Sequence, residues 1–438
     1  MTQQPKPEPF ISTNALLLFL LPTLGTILVS SGAIGFYDPD KGWILPFGLW
    51  SIISGLVYLG LGEKPSVTSN RRRWLWATTS CLVLVLGLTA RQIIIRPGNA
   101  RPSGVYDGAV QSEEAADFLL HGKNPYGADY RGTPYAVLNA IPSSGIGPGN
   151  PVWYHYIYPP LTFLIFVPIR ILQPLLGPLA DYRLISVGAL LLLAWLLVRR
   201  TKDISTKTTT LLLTLGNPLL WMYAIIGANE TLLALAIVGS TLLFERQRWT
   251  WSGVLFGAAI ASKQVAWLLI PLWLYWLWRQ VRSGDITALQ ARNVLFGTCG
   301  TVAVLFLPFF IWGPARLWTD LVVFATGSIA NTYPLAGTTF LQYLHVFHVI
   351  ASPWSPVPVY LFQLLVGVPM FVMTARWVHR NRSISTWLVA ATVFMLSLLL
   401  VGRYFNNNFL TTPVAFLATA YLLEATSTPT ERQAPHDS

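Results

Sequence analysis

Long apolar runs separated by short polar breaks fill the chain from about residue 14 to residue 424. A bilayer core of about 30 Å takes roughly 20 residues of helix. Runs of that kind predict spans near 14–36, 43–62, 74–95, 183–199, 208–226, 229–244, 292–312, 355–375, 384–403 and 409–424. Residues 250–279 are too long for one span and are interrupted by Ser262, Lys263 and Gln264, which predicts two short helices meeting at a polar break. Residues 158–178 are apolar but open on Pro159-Pro160 and contain Pro168, Arg170 and Pro174. That pattern predicts an interfacial or re-entrant segment rather than a crossing one. The fold expected is therefore all-α, a polytopic membrane bundle of about 12 spans, with no separate soluble domain between residues 14 and 424. The first run is long enough to span and lacks a strong cleavage pattern, so it reads as a span and not a signal peptide.

Composition narrows the class. Apolar and aromatic residues make up 53% of the chain and charged residues only 11%, against roughly 25% charged in soluble domains. That balance excludes a cytosolic enzyme and a disordered chain. The net charge of +11 would suggest nucleic acid in a soluble protein. Here the basic residues cluster between apolar runs, as in the cytoplasmic loops of membrane proteins, so no nucleic-acid partner is expected. The clusters are Lys64 with Arg71, Arg72 and Arg73; Arg199, Arg200, Lys202 and Lys207; Arg246 and Arg248; Arg279, Arg282 and Arg292; and Arg376, Arg380 and Arg382. All five fall inside if the N-terminus is cytoplasmic and 158–178 does not cross. Both ends then lie in the cytoplasm, with flexible tails at 1–13 and 425–438. Cys81 and Cys299 sit in apolar runs with no metal-ligand spacing.

The same topology places residues 96–157 outside the membrane. This stretch is polar and rich in Gly, Pro, Asn and Tyr, and a loop of that length is usually functional or disordered. Ser112 suits the cap of a short amphipathic helix over 113–120 that Gly122 would end, with Ala115, Phe118 and Leu119 facing lipid or protein. Asp107 precedes that helix, close to the end of a span. Two readings follow: a turn residue that caps or is solvated, or a carboxylate placed to meet a lipid-borne substrate.

Asp107, the following helix, Leu119-Leu120-His121-Gly122-Lys123-Asn124-Pro125-Tyr126 and then Tyr158-Pro159-Pro160-Leu161 together resemble the GT-C glycosyltransferases, and more narrowly glycosyltransferase family 87. Asn217-Pro218, the turn Gly227-Ala228-Asn229-Glu230, and the small-residue stretch Gly253–Ala259 running into Ser262-Lys263-Gln264 continue the match in order. The resemblance covers roughly residues 80–310. It implies a GT-C-type helical bundle that transfers a sugar from a polyprenyl-phosphate donor to an acceptor hydroxyl outside the membrane, with inversion in a single displacement. Mannose is the sugar it favours. The acceptor would be a glycolipid or glycan, and the location the plasma membrane with the active site facing out.

The attacking hydroxyl must lose a proton, and the family's loop aspartate takes it; Asp107 is the residue that matches. Asp117, Glu113 and Glu114 are rivals. The two glutamates also suit the first turn of a helix, where its dipole favours acids, and Asp117 suits acceptor binding or a structural role. Charge grows on the departing phosphate, so cations should face it. Lys263 is an ionisable group at a break within a span, functional by default, unless it snorkels to the interface. Arg403 and Tyr404, beside Asn406, Asn407 and Asn408, suit phosphate and sugar hydroxyls. Asn229, Glu230, Gln264, His155, Tyr158 and His345 complete the expected substrate-binding set, although Asn229 and Glu230 equally suit a tight turn and a lone His is more often structural. No cofactor and no metal are expected, because a monophosphate leaving group asks for less charge neutralisation than a diphosphate. The competing class is a transporter such as a lipid-linked sugar flippase, since broken helices and intramembrane cations occur there too. A ligase moving whole glycans from a polyprenyl diphosphate ranks behind both.

Overall fold

The computed structural model describes residues 44–61, 67–96, 104–138, 151–328 and 332–426. The expected first span at 14–36, the loop at 37–42, Asn331, most of both tails, and the loop segments 97–103 and 139–150 lie outside the described residues. The described chain is mostly helical. Its one departure is a two-residue parallel pairing of Ala336–Gly337 with Tyr404–Phe405, in the register Ala336 to Tyr404.

Four described helices are long and apolar enough to cross a membrane: Thr68–Ile95, Ala288–Trp312, Val359–Arg380 and Asn407–Thr426. Arg183–Val198, Trp249–Ile260 and Ile384–Leu400 are apolar but shorter. The expected count of about 12 full-length spans is thus not reproduced as full-length helices. Two physical reasons are visible. First, residues 208–226 are not one span. Gly216 and Asn217 part Ile204–Thr214 from Pro218–Ile225, because Pro218 has no N–H to continue the helix and the Asn217 side chain accepts from Leu219 N at 3.0 Å to start a new one. Second, residues 250–279 divide as expected, into Trp249–Ile260 and Val265–Arg282.

Residues 158–178 do not form one straight helix, a geometry that a broken span and a re-entrant loop share. They form short helices, Leu161–Ile171 and Gln173–Leu179 in total, bent by 63° at Leu172. Their opening turn repairs the helix break at 261–264. Leu161 N donates to Ala261 O at 2.9 Å, and Thr162 Oγ1 donates to Ser262 O at 2.7 Å. Carbonyls freed from a helix in an apolar setting need such partners, so the polar break and the bent segment are one construction.

Helix pairing depends on small residues, as is usual where lipid supplies no hydrophobic drive between helices. Trp249–Ile260 packs on Ala288–Trp312 through Gly253, Gly257 and Gly297. A Cβ on Gly253 would lie 1.9 Å from Val294 O, and one on Gly297 would lie 2.2 Å from Thr250 O. One large apolar core runs through the bundle. A second, rich in tyrosine and phenylalanine, sits between the 104–138 and 151–182 segments and Phe309–Phe324.

Candidate active site

The loop helix is Asp107–Leu120. It begins six residues earlier than the sequence pattern suggests. Ser112 is not its cap; its hydroxyl donates within the helix to Gly108 O at 2.7 Å and meets Tyr156 Oη at 3.1 Å. Nor does the helix present Ala115 to lipid, since that residue is fully buried and Phe118 and Leu119 pack on the aromatic core. Gly122 does end it, at a positive φ of 69°, with Lys123 N donating to Phe118 O at 2.8 Å, the geometry of a Schellman-type stop.

The residues after that stop position Tyr158. Asn124 Oδ1 accepts from Tyr126 N at 3.0 Å, and the Tyr126 ring packs edge-on against Tyr156, Phe163 and Phe309. Its hydroxyl then donates to Tyr158 O at 3.0 Å. The Tyr158 hydroxyl reaches the start of the loop helix, where a Cβ on Gly108 would sit only 2.3 Å from it. The start of the helix is pinned from the other side as well. Tyr106 N donates to Ile226 O at 2.7 Å, and Gly227, with φ of 88°, lets Ala109 close in where a Cβ would be 2.9 Å away.

Asp107 is the first residue of this helix and only partly buried. Its Oδ1 accepts from Gly108 N at 2.8 Å. Burial lifts its carboxyl above the usual aspartate range; the Gly108 N–H and the Lys263 ammonium oppose that, and the charge of Glu230 adds to it. Around it stand Tyr106, Tyr135, Tyr158, Tyr333 and Tyr404, whose hydroxyls are pushed up by burial and then by nearby acids and one another. They remain neutral donors at any ordinary pH.

Lys263 and Glu230 complete the centre. The Lys263 ammonium donates to Asn229 Oδ1 at 2.9 Å and to Glu230 Oε1, and it lies 4.7 Å from the centre of the Phe409 ring. At 4% exposure Lys263 does not snorkel. Asn408 Nδ2 donates to the same Glu230 oxygen and lies 3.5 Å from the Tyr106 hydroxyl. Five segments distant in sequence therefore converge: 104–109, 156–158, 226–230, 261–264 and 403–409. Gln264 joins them by donating to Ile157 O.

Arg403 is 3% exposed, and among the described residues no carboxylate pairs with it. Its Nε donates to Tyr333 O, and its Nη2 to Pro353 O and Ser355 O at 3.0 Å each. Its Nη1 is buried without a partner. Burial holds the guanidinium down to about 10, so it stays charged at neutral pH.

The remaining expected residues lie elsewhere. Glu113 spends both oxygens on Arg96 and accepts from Tyr182 N at 2.8 Å, in a network that continues through Asp181 to Arg183. Asp117 makes a two-pronged pair with Arg170 of the re-entrant segment. Glu114 is half-buried near that pair, and burial followed by the Asp117 charge raises its carboxyl to about 7. His155 stacks on Phe324 at 4.1 Å and pairs through Nδ1 with Asp320 at 2.7 Å. His345 faces Ile350 O at 2.9 Å within a small separate apolar cluster.

Sequence reasoning missed Tyr106, Tyr135 and Tyr333 around Asp107, and it missed Asp320; it named Asn408 beside Arg403 but not its bond to Glu230. Asp320 also accepts from Gly127 N at 2.7 Å and Tyr156 N at 3.0 Å, tying three segments together. One signal was available for it: it is the sole acidic residue between 313 and 354. Among the described residues, no three His, Cys, Asp or Glu side chains converge as metal ligands.

A helical membrane protein with broken helices, and with an acid from an external-type loop set over a buried Glu–Lys pair, is the class these features define. The sequence profile of glycosyltransferase family 87 matches residues 156–402, and the chain belongs to that family. It is thus a glycosyltransferase with membrane-spanning helices. Comparison with curated proteins and with solved structures finds no match.

Proposed function

We propose that this glycosyltransferase moves a hexose, mannose first among the candidates, from a polyprenyl-phosphate donor to an acceptor hydroxyl on the extracytoplasmic face. The observation that carries the reading is the placement of Asp107. It heads the loop helix, keeps part of its surface open, and faces a ring of neutral tyrosines beside Glu230 and Lys263. Partial burial makes its carboxylate a stronger base than a solvated aspartate. The helix dipole limits that cost and keeps the group ionised when it must accept a proton.

In the reaction the acceptor oxygen bonds to the anomeric carbon as the bond from that carbon to the phosphate oxygen breaks. Asp107 takes the acceptor proton, and the electron pair leaves on the phosphate. A single displacement of this kind inverts the anomeric centre. The leaving phosphate gains charge and needs donors. Lys263 is already committed to Glu230 and Asn229, so Arg403 Nη1, buried and without a hydrogen-bond partner among the described residues, is the better suited group. A monophosphate leaving group makes a metal unnecessary in this scheme. The acceptor is a glycolipid or glycan, and the setting is the plasma membrane.

The test supplies labelled polyprenyl-phosphate mannose and a mixed lipid extract to membranes containing the protein. A labelled product, with the anomeric configuration opposite to the donor's, is expected. Movement of intact donor across sealed vesicles with no transfer product would instead make the protein a flippase.

A further inference from the structure

Glu230 has one buried carboxylate oxygen that the fold leaves free. Its side chain is 1% exposed. Oε1 accepts from both Lys263 Nζ and Asn408 Nδ2, whereas Oε2 is buried with no hydrogen-bond partner. That division is unusual. Two donors crowd onto one oxygen of a pair, and a buried acceptor left without a partner is costly. The lysine fixes the carboxylate in place, and Asn229, Phe409 and the Tyr158 ring hold the lysine in turn. The free oxygen is therefore held in place, and the Glu230 charge acts on Asp107, Tyr106, Tyr158 and Tyr404.

The two acids come from different layers. Asp107 is carried by the loop helix, whereas Glu230 opens a bundle helix and is bonded to the helix break at Lys263. A sugar tethered to a lipid phosphate reaches the bundle layer, and an acceptor arriving from outside meets the loop layer. We infer that Glu230 Oε2 accepts a hydrogen bond from one hydroxyl of the donor sugar and thereby selects the sugar. This rests on the transferase reading above. A neutral sugar hydroxyl supplies what the oxygen lacks, a donor without a second negative charge. A site built to bond a hydroxyl discriminates strongly against the analogue without it, because its own polar group is then stranded. Lys263 and Asn408 are positioning residues for that oxygen.

The experiment compares wild type and Glu230→Gln with polyprenyl-phosphate mannose and with the 2-, 3-, 4- and 6-deoxy donors. Initial rates give kcat/KM for each. In the wild type, removal of one particular hydroxyl is expected to cost at least about 100-fold, well beyond the other three. In Glu230→Gln the intact donor is used more slowly, and the penalty for that same deoxy sugar falls to within about threefold of parity. A residue that only supports the fold would slow all five donors alike, and that result overturns the proposal. Thermal melting checks that the variant is folded; Glu230→Asp, which withdraws the oxygen while keeping the charge, is read in the same way. The wild-type scan also stands alone, because equal use of all four deoxy sugars overturns the proposal without any variant. Absence of transfer from every donor, intact mannose included, instead fails the transferase reading and the inference falls with it.

Discussion

Gly108 and Gly227 place Asp107 more directly than any charged residue does. Each leaves room for a neighbour that a Cβ would strike, the Tyr158 hydroxyl at 2.3 Å and Ala109 at 2.9 Å. Gly108→Ala is accordingly expected to displace Tyr158 or the helix start and to cut the transfer rate by about tenfold or more, since small misplacements of reacting groups are costly. Steady-state kinetics on the folded variant would check this. Asp107 itself gives a prediction with a definite sign. An unfolded aspartate titrates near about 3.9, and the folded one titrates higher. The stability it contributes is present below the unfolded value and lost as pH rises through the folded value. Asp107→Asn should therefore leave the melting temperature at about pH 7 unchanged or higher, the trade-off typical of a strained catalytic group. In the wild type kcat/KM should rise with pH through an ionisation above the ordinary aspartate range. The sequence made Asp107, Glu230, Lys263 and Arg403 legible because charges stand out in apolar runs. It could not reveal that Tyr106, Tyr135 and Tyr333 join Tyr158 and Tyr404 around Asp107, or that Asn408 meets Tyr106 across 302 residues of chain. Tyrosines and asparagines at span ends look alike until the fold chooses among them.

At the level of elements, the polar break at 261–264 and the proline-led turn at 158–162 were each readable, but their mutual hydrogen bonds were not. The start of the loop helix was misplaced because Ser112 satisfies a capping pattern, while the actual start at Asp107 has no side-chain cap from Tyr106. Tertiary packing against Tyr158 and Ile226 sets that start in place of a local signal. The break at Gly216-Asn217-Pro218 was overlooked because hydropathy continues through it. Two ionic ties hold the loop helix to the bundle, and they should differ in worth. Glu113→Ala leaves the Arg96 guanidinium with Asp181 alone and strands the N–H of Tyr182, and is expected to cost about 3 kcal/mol. Asp117→Ala breaks a pair in which each side chain keeps 23% exposure, so solvent screening should hold its cost to about 1 kcal/mol. Thermal melting of the two variants in one detergent would rank them. Gly297→Val, which forces side-chain atoms into the backbone of Thr250, should lower stability more than either, by about 3 kcal/mol or beyond.

Across the whole molecule, arginines gather at the helix ends remote from the site. Glu230 opens the Glu230–Glu245 helix in the site, and Glu245 at its other end pairs with Arg200. Sixteen residues place those ends about 24 Å apart. Lys263 likewise stands at one end of Val265–Arg282, and Arg279 and Arg282 at the other. Basic residues gather on the cytoplasmic side of membrane proteins, and on that rule the face bearing Asp107 is expected to be the outer one. In a background with Cys81 and Cys299 replaced, Gly132→Cys should react with an impermeant thiol reagent on intact cells, and Lys202→Cys only after permeabilisation; the reverse pattern would invert the orientation. The central claim, that Asp107 is the base of a glycosyl transfer, has a more direct test. Purified wild type and Asp107→Asn, reconstituted in lipid, would be compared in a single turnover of labelled polyprenyl-phosphate mannose onto its lipid acceptor. The account predicts that the variant binds donor but transfers its sugar about 100-fold to 10,000-fold more slowly. Transfer by the variant within about twofold of the wild-type rate would contradict it.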